Sequence, residues 1–221
     1  MCELLQEMIC KEVFFFLKVE ENEIKNDVSL KEKIKKAKEL IKSSANEKIK
    51  WCIGVFIENA KNIKIIRSMR KKFGDSLIIA VEANNFECLR KMVDSKAANI
   101  IVDPQKQRKD EGIDHVIAKK MKESNTGLMI SLSNLFSIEG KKRCMEFGKI
   151  KEICKYYNKY SFPLIFASFT FEARLIRDPL SRASLARELG VKEDKALDTV
   201  SENYSKIKIN ENKNFVVRRI K

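Results

Sequence analysis

Six short apolar runs recur along this chain, separated by amphipathic stretches. They are rich in Ile, Val and Phe and mostly apolar on successive residues, which is typical of strands covered on both faces, as in a parallel sheet. Regular alternation of such strands with helices predicts βαβ units with right-handed crossovers. The predicted strands are Val13–Lys18, Trp51–Ile57, Leu77–Glu82, Asn99–Asp103, Leu128–Leu132 and Pro163–Ser168.

The segments between the predicted strands carry apolar residues at helical spacing, so we expect each to pack one face on the sheet. A longer amphipathic helix is predicted around Glu146–Tyr157. Near the carboxyl terminus, Asp178 is suited to cap a helix that begins at Pro179, with Gly190 at its end. A further helix is expected from about Lys192 to Asn203. The first two apolar stripes comprise Leu30, Ile34, Ala37 and Ile41, and then Ile63, Ile66, Met69 and Phe73.

The number of predicted strands allows either an open doubly wound sheet or a barrel. A seventh strand near Phe215–Val217 would give about seven mostly parallel strands surrounded by helices. No internal repeat, low-complexity segment or long linker divides the chain. We therefore expect a single α/β domain over residues 1–221, with a basic carboxy-terminal tail at 213–221.

Cysteine usage and hydropathy indicate a soluble protein of a reducing compartment. None of the six cysteines stands in a CxxC pair or at zinc-site spacing, and several lie within apolar runs, so we expect free buried thiols. No apolar run reaches the roughly 18 residues that a membrane span requires. The start, Met1–Lys11, carries acidic residues and lacks the features of a secretory signal. We expect a cytoplasmic protein without a membrane partner.

The net charge bears most directly on the kind of partner. The chain has 45 Lys and Arg against 31 Asp and Glu, which gives a formal net charge of +14 at pH 7. A surplus of this size favours a polyanionic partner, most often nucleic acid. The alternative is a Lys/Glu-rich surface adapted to heat, but such a surface leaves the two signs roughly balanced.

The sequence lacks the motifs of several enzyme classes. The seven glycines form neither a GxGxxG fingerprint nor a P-loop, and no GxSxG elbow is present. With one histidine, the chain cannot build a histidine-rich metal cluster or a two-histidine acid–base pair. Glu82 and Asp103, at the ends of predicted strands, have the ligand chemistry for Mg²⁺, although single carboxylates there more often cap helices or solubilise loops. We expect no catalytic residue and no metal site on this chain.

The single histidine, His115, lies on a predicted helix with one apolar face. His115 shares the opposite face with two lysines at i+4 and i+7. A lone histidine is often a core residue held by a backbone carbonyl, but the apolar neighbours already fill the buried face here. We therefore expect an outward imidazole that contacts a nucleic acid together with the two lysines. The apolar residues are Ile113, Val116, Ile117 and Met121, and the two lysines are Lys119 and Lys122.

Several of these segments, in their order and spacing, resemble archaeal ribonuclease P protein component 3, the relative of the eukaryotic thirty-kilodalton ribonuclease P subunit. The resemblance is weak over Met1–Val28, so we expect a displaced or shortened first strand. The matching segments are Leu77–Glu82, Asn99–Asp103 and Ile113–Lys119, and then, as a carboxy-terminal signature, Phe166–Ser168, Ile176–Pro179 and Ala183–Gly190.

The resemblance implies a TIM-barrel-like fold related to the polymerase and histidinol phosphatase domain. The His-x-Asp-x-His motif on the first strand of the phosphatase relatives has no counterpart in this chain. The resemblance further implies an accessory role in ribonuclease P, whose RNA subunit, using Mg²⁺, matures the 5′ end of transfer RNA. This chain would then need neither a cofactor nor an active site. The implied partners are the ribonuclease P RNA, component 2 as direct protein partner, the other ribonuclease P proteins and, indirectly, precursor transfer RNA.

Four further basic residues are candidates for RNA contact. Arg108 lies in a polar loop after a predicted strand, where a phosphate contact and a solvated loop both fit the sequence. Arg90 and Lys91 follow the apolar stripe of a helix and either bind RNA or simply flank that stripe. Arg177 matches the family's signature, although Asp178 beside it offers an ion-pair partner instead of RNA.

In a barrel, the segments that follow strands gather at one rim, so we expect Arg108, His115 and Arg177 to form one patch. Two other functional classes remain as alternatives to an RNA-binding subunit. One is a metal-dependent phosphoesterase of the same fold, and the other is a protein scaffold whose charge is incidental.

Overall fold

The computed structural model describes residues 12–19, 24, 27–44, 50–74, 77–83, 85–170 and 172–207. Within these ranges six strands form one sheet, in which neighbouring strands follow one another in sequence order and all run parallel. All six predicted strands are confirmed to within one residue at each end. The strands are β1 (Glu12–Val19), β2 (Lys50–Ile57), β3 (Ile78–Glu82), β4 (Ile100–Val102), β5 (Gly127–Ser131) and β6 (Leu164–Ala167).

The first strand occupies its predicted position at full length. Its eight residues pair with β2 throughout, from Glu12 opposite Lys50 to Val19 opposite Ile57. The expectation of a displaced or shortened first strand is therefore wrong. The seventh strand near Phe215–Val217 and the tail at 213–221 lie outside the described residues, and a single domain over residues 1–221 stays a prediction.

Helices connect the strands, as predicted. Short 3₁₀ turns occur at Ala173–Leu175 and Leu197–Val200. The helices are α1 (Asp27–Ser44), α2 (Ile63–Phe73), α3 (Phe86–Asp94), α4 (His115–Ser124), α5 (Leu132–Ser137), α6 (Gly140–Tyr160), α7 (Pro179–Glu188), α8 (Glu193–Ala196) and α9 (Glu202–Lys206).

The start of α7 confirms the prediction from Asp178 and Pro179. The Asp178 carboxylate accepts the Ser181 N–H at 2.9 Å, and Pro179 is the first helical residue. The helix ends as Gly190 turns into the left-handed region, with φ +100°. This conformation favours glycine, because glycine has no Cβ atom to clash with the backbone.

The predicted ends of one strand and one helix, and the predicted continuity of a second helix, were wrong in detail. Leu132 does not end β5 but begins α5, because the Ser131 hydroxyl accepts the Asn134 N–H at 3.3 Å and caps a short helix. The long helix α6 begins at Gly140, well before Glu146. The helix expected over Lys192–Asn203 is divided into α8, a 3₁₀ turn and α9.

The division of that last segment follows from side chains that bond to the local backbone. The Thr199 hydroxyl donates to the Ala196 carbonyl at 2.6 Å, and the Ser201 hydroxyl donates to the Leu197 carbonyl at 2.8 Å. Ser and Thr hydroxyls that bond in this way compete with helical hydrogen bonds. The helix therefore restarts after Ser201, whose φ of −134° is not helical.

The two faces of the sheet bury different cores, which is why the strands are apolar on successive residues. The outer face packs under the helices, and the inner face forms a second cluster. The inner cluster comprises Phe56, Ile78, Ala80, Ile100, Val102, Met129, Ile165, Ala167 and Ile207. Its strand residues alternate with outer residues along each strand, as expected for the filled interior of a barrel.

Aromatic packing brings the two edges of the sheet together. Phe169, two residues beyond β6, lies edge-on to Phe16 of β1 at 5.7 Å and to Phe56 of β2 at 4.8 Å between ring centroids. Within the described ranges, backbone pairing runs from β1 to β6 without a pairing between those two strands. At the opposite end, the Ile207 side chain lies over Gly127, where a Cβ atom would overlap with it. The described sheet is thus curved and filled like a barrel.

The cysteines fit the predicted thiol chemistry only in part. Cys88, Cys144 and Cys154 carry free thiols, as expected. Cys154 lies in the core, and burial raises the pKa of its thiol to about 12. Cys88 is half-buried and Cys144 is exposed, so the expectation of burial is confirmed for Cys154 alone among these three.

Candidate nucleic-acid interface at the carboxyl ends of the strands

Two buried carboxyl groups lie where the central strands end. Glu82 is the last residue of β3 and Asp103 follows β4; they are 2% and 3% exposed. Lys106 reaches back from the loop after β4, and its Nζ lies 3.0 Å from Oε1 and 3.1 Å from Oε2 of Glu82. A buried carboxylate is tolerated only when it is paired. This ion pair therefore fixes the β4–α4 loop over the end of β3.

Asp103 holds the next strand and helix in place. Its N–H donates to the Met129 carbonyl at 2.9 Å, although its φ of +43° is unusual for a residue with a side chain. Its carboxyl oxygens accept the Ser131 N–H at 2.8 Å and the Asn134 side-chain amide at 2.6 Å. Burial nevertheless dominates and raises the pKa of Asp103 to about 6, against the lowering effect of these two hydrogen bonds.

These carboxyl groups serve the fold. Both oxygens of Asp103 already accept hydrogen bonds, and Glu82 is paired with Lys106. Across the part of the chain that the structure describes, no three His, Cys, Asp or Glu side chains form a group that could hold a metal ion. Glu82, Asp103 and Ser131, with their partners, join the ends of the three successive strands β3, β4 and β5.

Arg108 lies in the loop after β4, as predicted, but its side chain is engaged within the chain. Its guanidinium bonds to both carboxylate oxygens of Asp110, at 2.7 and 2.9 Å, and lowers the pKa of that carboxyl group. It also lies 5.5 Å from the centre of the Phe86 ring, and only 17% of the side chain is exposed. Replacing Arg108 would therefore remove an internal ion pair together with a positive charge.

His115 is the first residue of α4 and is exposed, as predicted. Asp114 caps the helix by accepting the Ile117 N–H at 2.7 Å, which fixes His115 at the edge where the strands end. Lys119 and Lys122 are also exposed along α4. Because helices in this fold run back from the strand ends, these two lysines lie progressively farther from that edge.

Arg177 is exposed on the segment that leads from β6 into α7. Its N–H donates to the Ser168 hydroxyl at 2.9 Å, which holds this segment against the end of β6. The alternative partner, Asp178, is occupied by the N–H and the hydroxyl of Ser181. No ion pair between Arg177 and Asp178 is present in this described segment, so the guanidinium faces solvent.

Arg90 and Lys91 lie on the exposed side of α3, away from the strand ends. Lys91 forms an ion pair with Glu87 one turn earlier. The structure therefore places Arg108, His115 and Arg177 along one edge of the sheet and the other four candidates on helix sides. That the three edge residues form one RNA-binding patch stays a prediction, because β5 lies between the strands that carry them.

The sequence interpretation missed a basic turn at the start of α6. Lys141, Lys142 and Arg143 occupy the first turn, where cations oppose the helix dipole and an anion would be stabilising. The Arg143 guanidinium is bonded to the carbonyls of Ile138 and Phe136. The basic run was visible in the sequence, but the helix was expected only from Glu146. This turn borders a cavity of about 410 Å³ that also touches Gln105.

No helix in the described ranges is both long enough and apolar enough to cross a membrane.

Comparison with solved structures bears on the fold. A chain in a cryo-EM structure of archaeal ribonuclease P with mature tRNA superposes with a TM-score of 0.73 and 22% sequence identity. The likeness covers 93% of this chain and 84% of that chain. The strand order, the filled interior and this likeness confirm the expected TIM-barrel-like α/β fold.

Sequence comparison identifies the family. Ribonuclease P protein component 3 of Methanothermobacter thermautotrophicus is 25% identical over 148 residues, which are 67% of this chain and 60% of that protein. The protein of the same name from Methanococcoides burtonii is 26% identical over 141 residues, 63% of this chain and 58% of that protein. The matches thus span about three-fifths of these curated relatives. Because the profile of the family described as RNase P subunit p30 matches residues 7–214, this chain belongs to that family.

Proposed function

We propose that this chain is a protein subunit of ribonuclease P that binds and stabilises the RNA which removes 5′ leaders from precursor transfer RNA. The family match over residues 7–214 carries the proposal. The net charge of +14 supports it, because a polyanion is the partner that such a surface attracts. In this proposal component 2 is the direct protein partner in the cytoplasm, and the RNA supplies the active site with its Mg²⁺.

The proposed mechanism is electrostatic. Folding of a large RNA crowds phosphates together, and Lys and Arg side chains that neutralise them reduce the Mg²⁺ needed for the active form. His115 and Arg177 are suited to such contacts, because both are exposed at the edge where the strands end. Each stands on a segment fixed by hydrogen bonds, the Asp114 cap and the Ser168 hydroxyl respectively.

The two alternatives predict different behaviour. A phosphoesterase would need carboxylates that face a substrate, whereas Glu82 and Asp103 are buried with internal partners. A scaffold whose charge is incidental would bind RNA without a steep dependence on salt.

Reconstitution tests the proposal directly. Cleavage of precursor transfer RNA is measured across a Mg²⁺ titration with the RNA subunit and the other ribonuclease P proteins, with and without this chain. We expect the full chain to lower the Mg²⁺ concentration required for half-maximal cleavage. The same Mg²⁺ requirement in both mixtures would contradict the proposal. Cleavage by this chain alone that depended on Asp103 would instead support the phosphoesterase.

A further inference from the structure

A cavity of about 410 Å³ opens between the β4–α4 loop, α5 and the first three turns of α6. Small-molecule sites usually measure about 300–1,000 Å³, so this volume suits a ligand of modest size. One wall is apolar and is formed by Leu135, Ile138 and Met145. Leu135 is buried in the core, whereas Met145 is 54% exposed at the surface. The wall thus presents an apolar surface against which a flat ring can pack.

The cavity is lined by three lysines and by the carboxyl groups of Asp103 and Glu146. Two of its lysines are paired with carboxylates, Lys106 with Glu82 and Lys149 with Glu146. Lys142 is exposed on the first turn of α6 and joins no ion pair among the residues that the structure describes. The first-turn N–H groups of α6 add the positive end of a helix of 21 residues. The mouth of the cavity therefore favours an anionic group beside Lys142.

Gln105 lines the same cavity and carries an unused polar group. The residue is 4% exposed, and its Oε1 has no hydrogen-bond partner among the described residues. A buried acceptor without a donor is destabilising, so buried side chains rarely leave one. A carboxamide carries both an acceptor and donors, which allows it to bond to two adjacent atoms of a ligand.

We propose that this cavity binds one unpaired nucleotide, with the base between the apolar wall and the Gln105 carboxamide and the phosphate beside Lys142. Apolar side chains pack on the faces of an extruded base, and a glutamine carboxamide can bond to an amino group and a neighbouring ring nitrogen. A phosphate suits the start of a helix. The inference rests on the proposed function, since an RNA strand would supply the nucleotide. A free nucleoside monophosphate presents the same chemistry.

The test uses the full chain and three probes: a single-stranded adenosine pentanucleotide, an RNA duplex and AMP. Binding is measured by fluorescence anisotropy for the labelled RNAs and by calorimetry for AMP. Gln105→Met keeps the side-chain length and removes its hydrogen-bonding atoms. We expect it to weaken binding of the pentanucleotide on the order of tenfold, as for loss of one amide–base contact, and to leave duplex binding unchanged. Its Tm should stay constant or rise, because an unpartnered buried oxygen is removed.

Lys142→Ala and Lys141→Ala provide a matched pair, since both remove one exposed lysine from the same helical turn. Of the two, only Lys142 lines the cavity, so we expect Lys142→Ala to weaken binding of the pentanucleotide several times more than Lys141→Ala. Equal effects of these two variants, or parental affinity of Gln105→Met for the pentanucleotide, would overturn the proposal. If Gln105→Met lowers the Tm, its binding data are set aside and the proposal is tested by comparing Lys142→Ala with Lys141→Ala.

The probes also identify the source of the nucleotide. AMP binding that Gln105→Met weakens would assign the cavity to a free nucleotide, whereas binding of the pentanucleotide without AMP would assign it to an RNA strand. Absence of binding to both would overturn the inference. In that case the proposed function would still stand if the parent chain bound the ribonuclease P RNA in a salt-dependent manner. If the parent chain did not bind the ribonuclease P RNA at all, the proposed function itself would be contradicted.

Discussion

Asp103→Asn is the substitution whose effect on stability can be worked out most fully. The carboxyl group is 3% exposed, and burial raises its pKa to about 6. The asparagine has the same shape and can still accept the Ser131 N–H. The new NH₂ group would face the NH₂ group of Asn134, which now donates to Asp103. The Asn134 carboxamide must therefore rotate by 180°, so that its oxygen accepts a hydrogen bond from the new asparagine. The substitution thus removes a buried charge beside Glu82 and preserves the hydrogen bonds.

The magnitude follows from the difference between the pKa in the folded state, about 6, and the usual 3.8 of the unfolded chain. For a carboxyl group with a raised pKa, the folded state binds the proton more tightly, so its contribution to stability is present at low pH. That contribution is lost as pH rises through 3.8 towards 6. The total is about 3 kcal/mol, of which about 1 kcal/mol is lost between pH 5 and 7.5.

The assay is urea unfolding of the parent and of Asp103→Asn at pH 5, 6 and 7.5. As pH rises from 5 to 7.5, we expect the free energy of unfolding of the variant to increase by about 1 kcal/mol relative to that of the parent. The reason is that only the parent has a buried carboxyl group that ionises over this range. Asp178→Asn serves as control, because the Ser181 hydroxyl lowers the pKa of Asp178 and keeps its titration below this window. A free-energy difference between Asp103→Asn and the parent that stays constant from pH 5 to 7.5 would refute the reasoning.

Three other outcomes are expected from the structure and the proposed function. Gly54→Ala should lower the free energy of unfolding by about 1–3 kcal/mol, because its Cβ would overlap with the Phe16 ring; an unchanged urea midpoint would show that the ring moves aside. If about six phosphates are contacted, RNA affinity measured in filter binding should fall about a thousandfold between about 50 and 200 mM salt, whereas a flat plot would favour the scaffold. His115→Ala and Arg177→Ala should reduce reconstituted cleavage with stability within about 0.5 kcal/mol of the parent, and Lys36→Ala on α1 should do less. Full cleavage by both variants would remove these residues from the interface.

The strands could be predicted from the sequence because burial on both faces leaves a local signature. β4 has only three residues, yet each of Ile100, Ile101 and Val102 is buried, so the apolar run is uninterrupted. The same signature caused the error at Leu132. That residue is also buried and continues the run of β5, although the Ser131 cap has already turned the backbone into α5.

The chemistry of the strand ends could not be predicted, because it depends on residues far apart in sequence. Glu82, at the end of β3, is paired with Lys106 from the loop after β4. Asp103, just after β4, is bonded to Asn134 of α5, which follows β5. Arg108 shows the same limit at short range. Its loop position was evident, but its packing over Phe86, which leaves little of the side chain for RNA, was not.

The arrangement of charge along this edge supports the proposed role in binding RNA. In TIM-barrel enzymes the edge where the strands end carries the reacting groups, which must face a substrate. Here the Glu82 and Asp103 carboxyl groups point into the protein, where Lys106, the Ser131 N–H and Asn134 occupy them. The exposed groups nearby include the cationic Arg177 and Lys142, on segments that begin helices. The exposed carboxylates of Asp110 and Asp178 are bonded to Arg108 and Ser181. In the proposed function this edge holds a phosphate backbone, because Arg177 and Lys142 face solvent whereas the buried carboxyl groups are occupied within the protein. The RNA subunit would then supply the chemistry on that backbone.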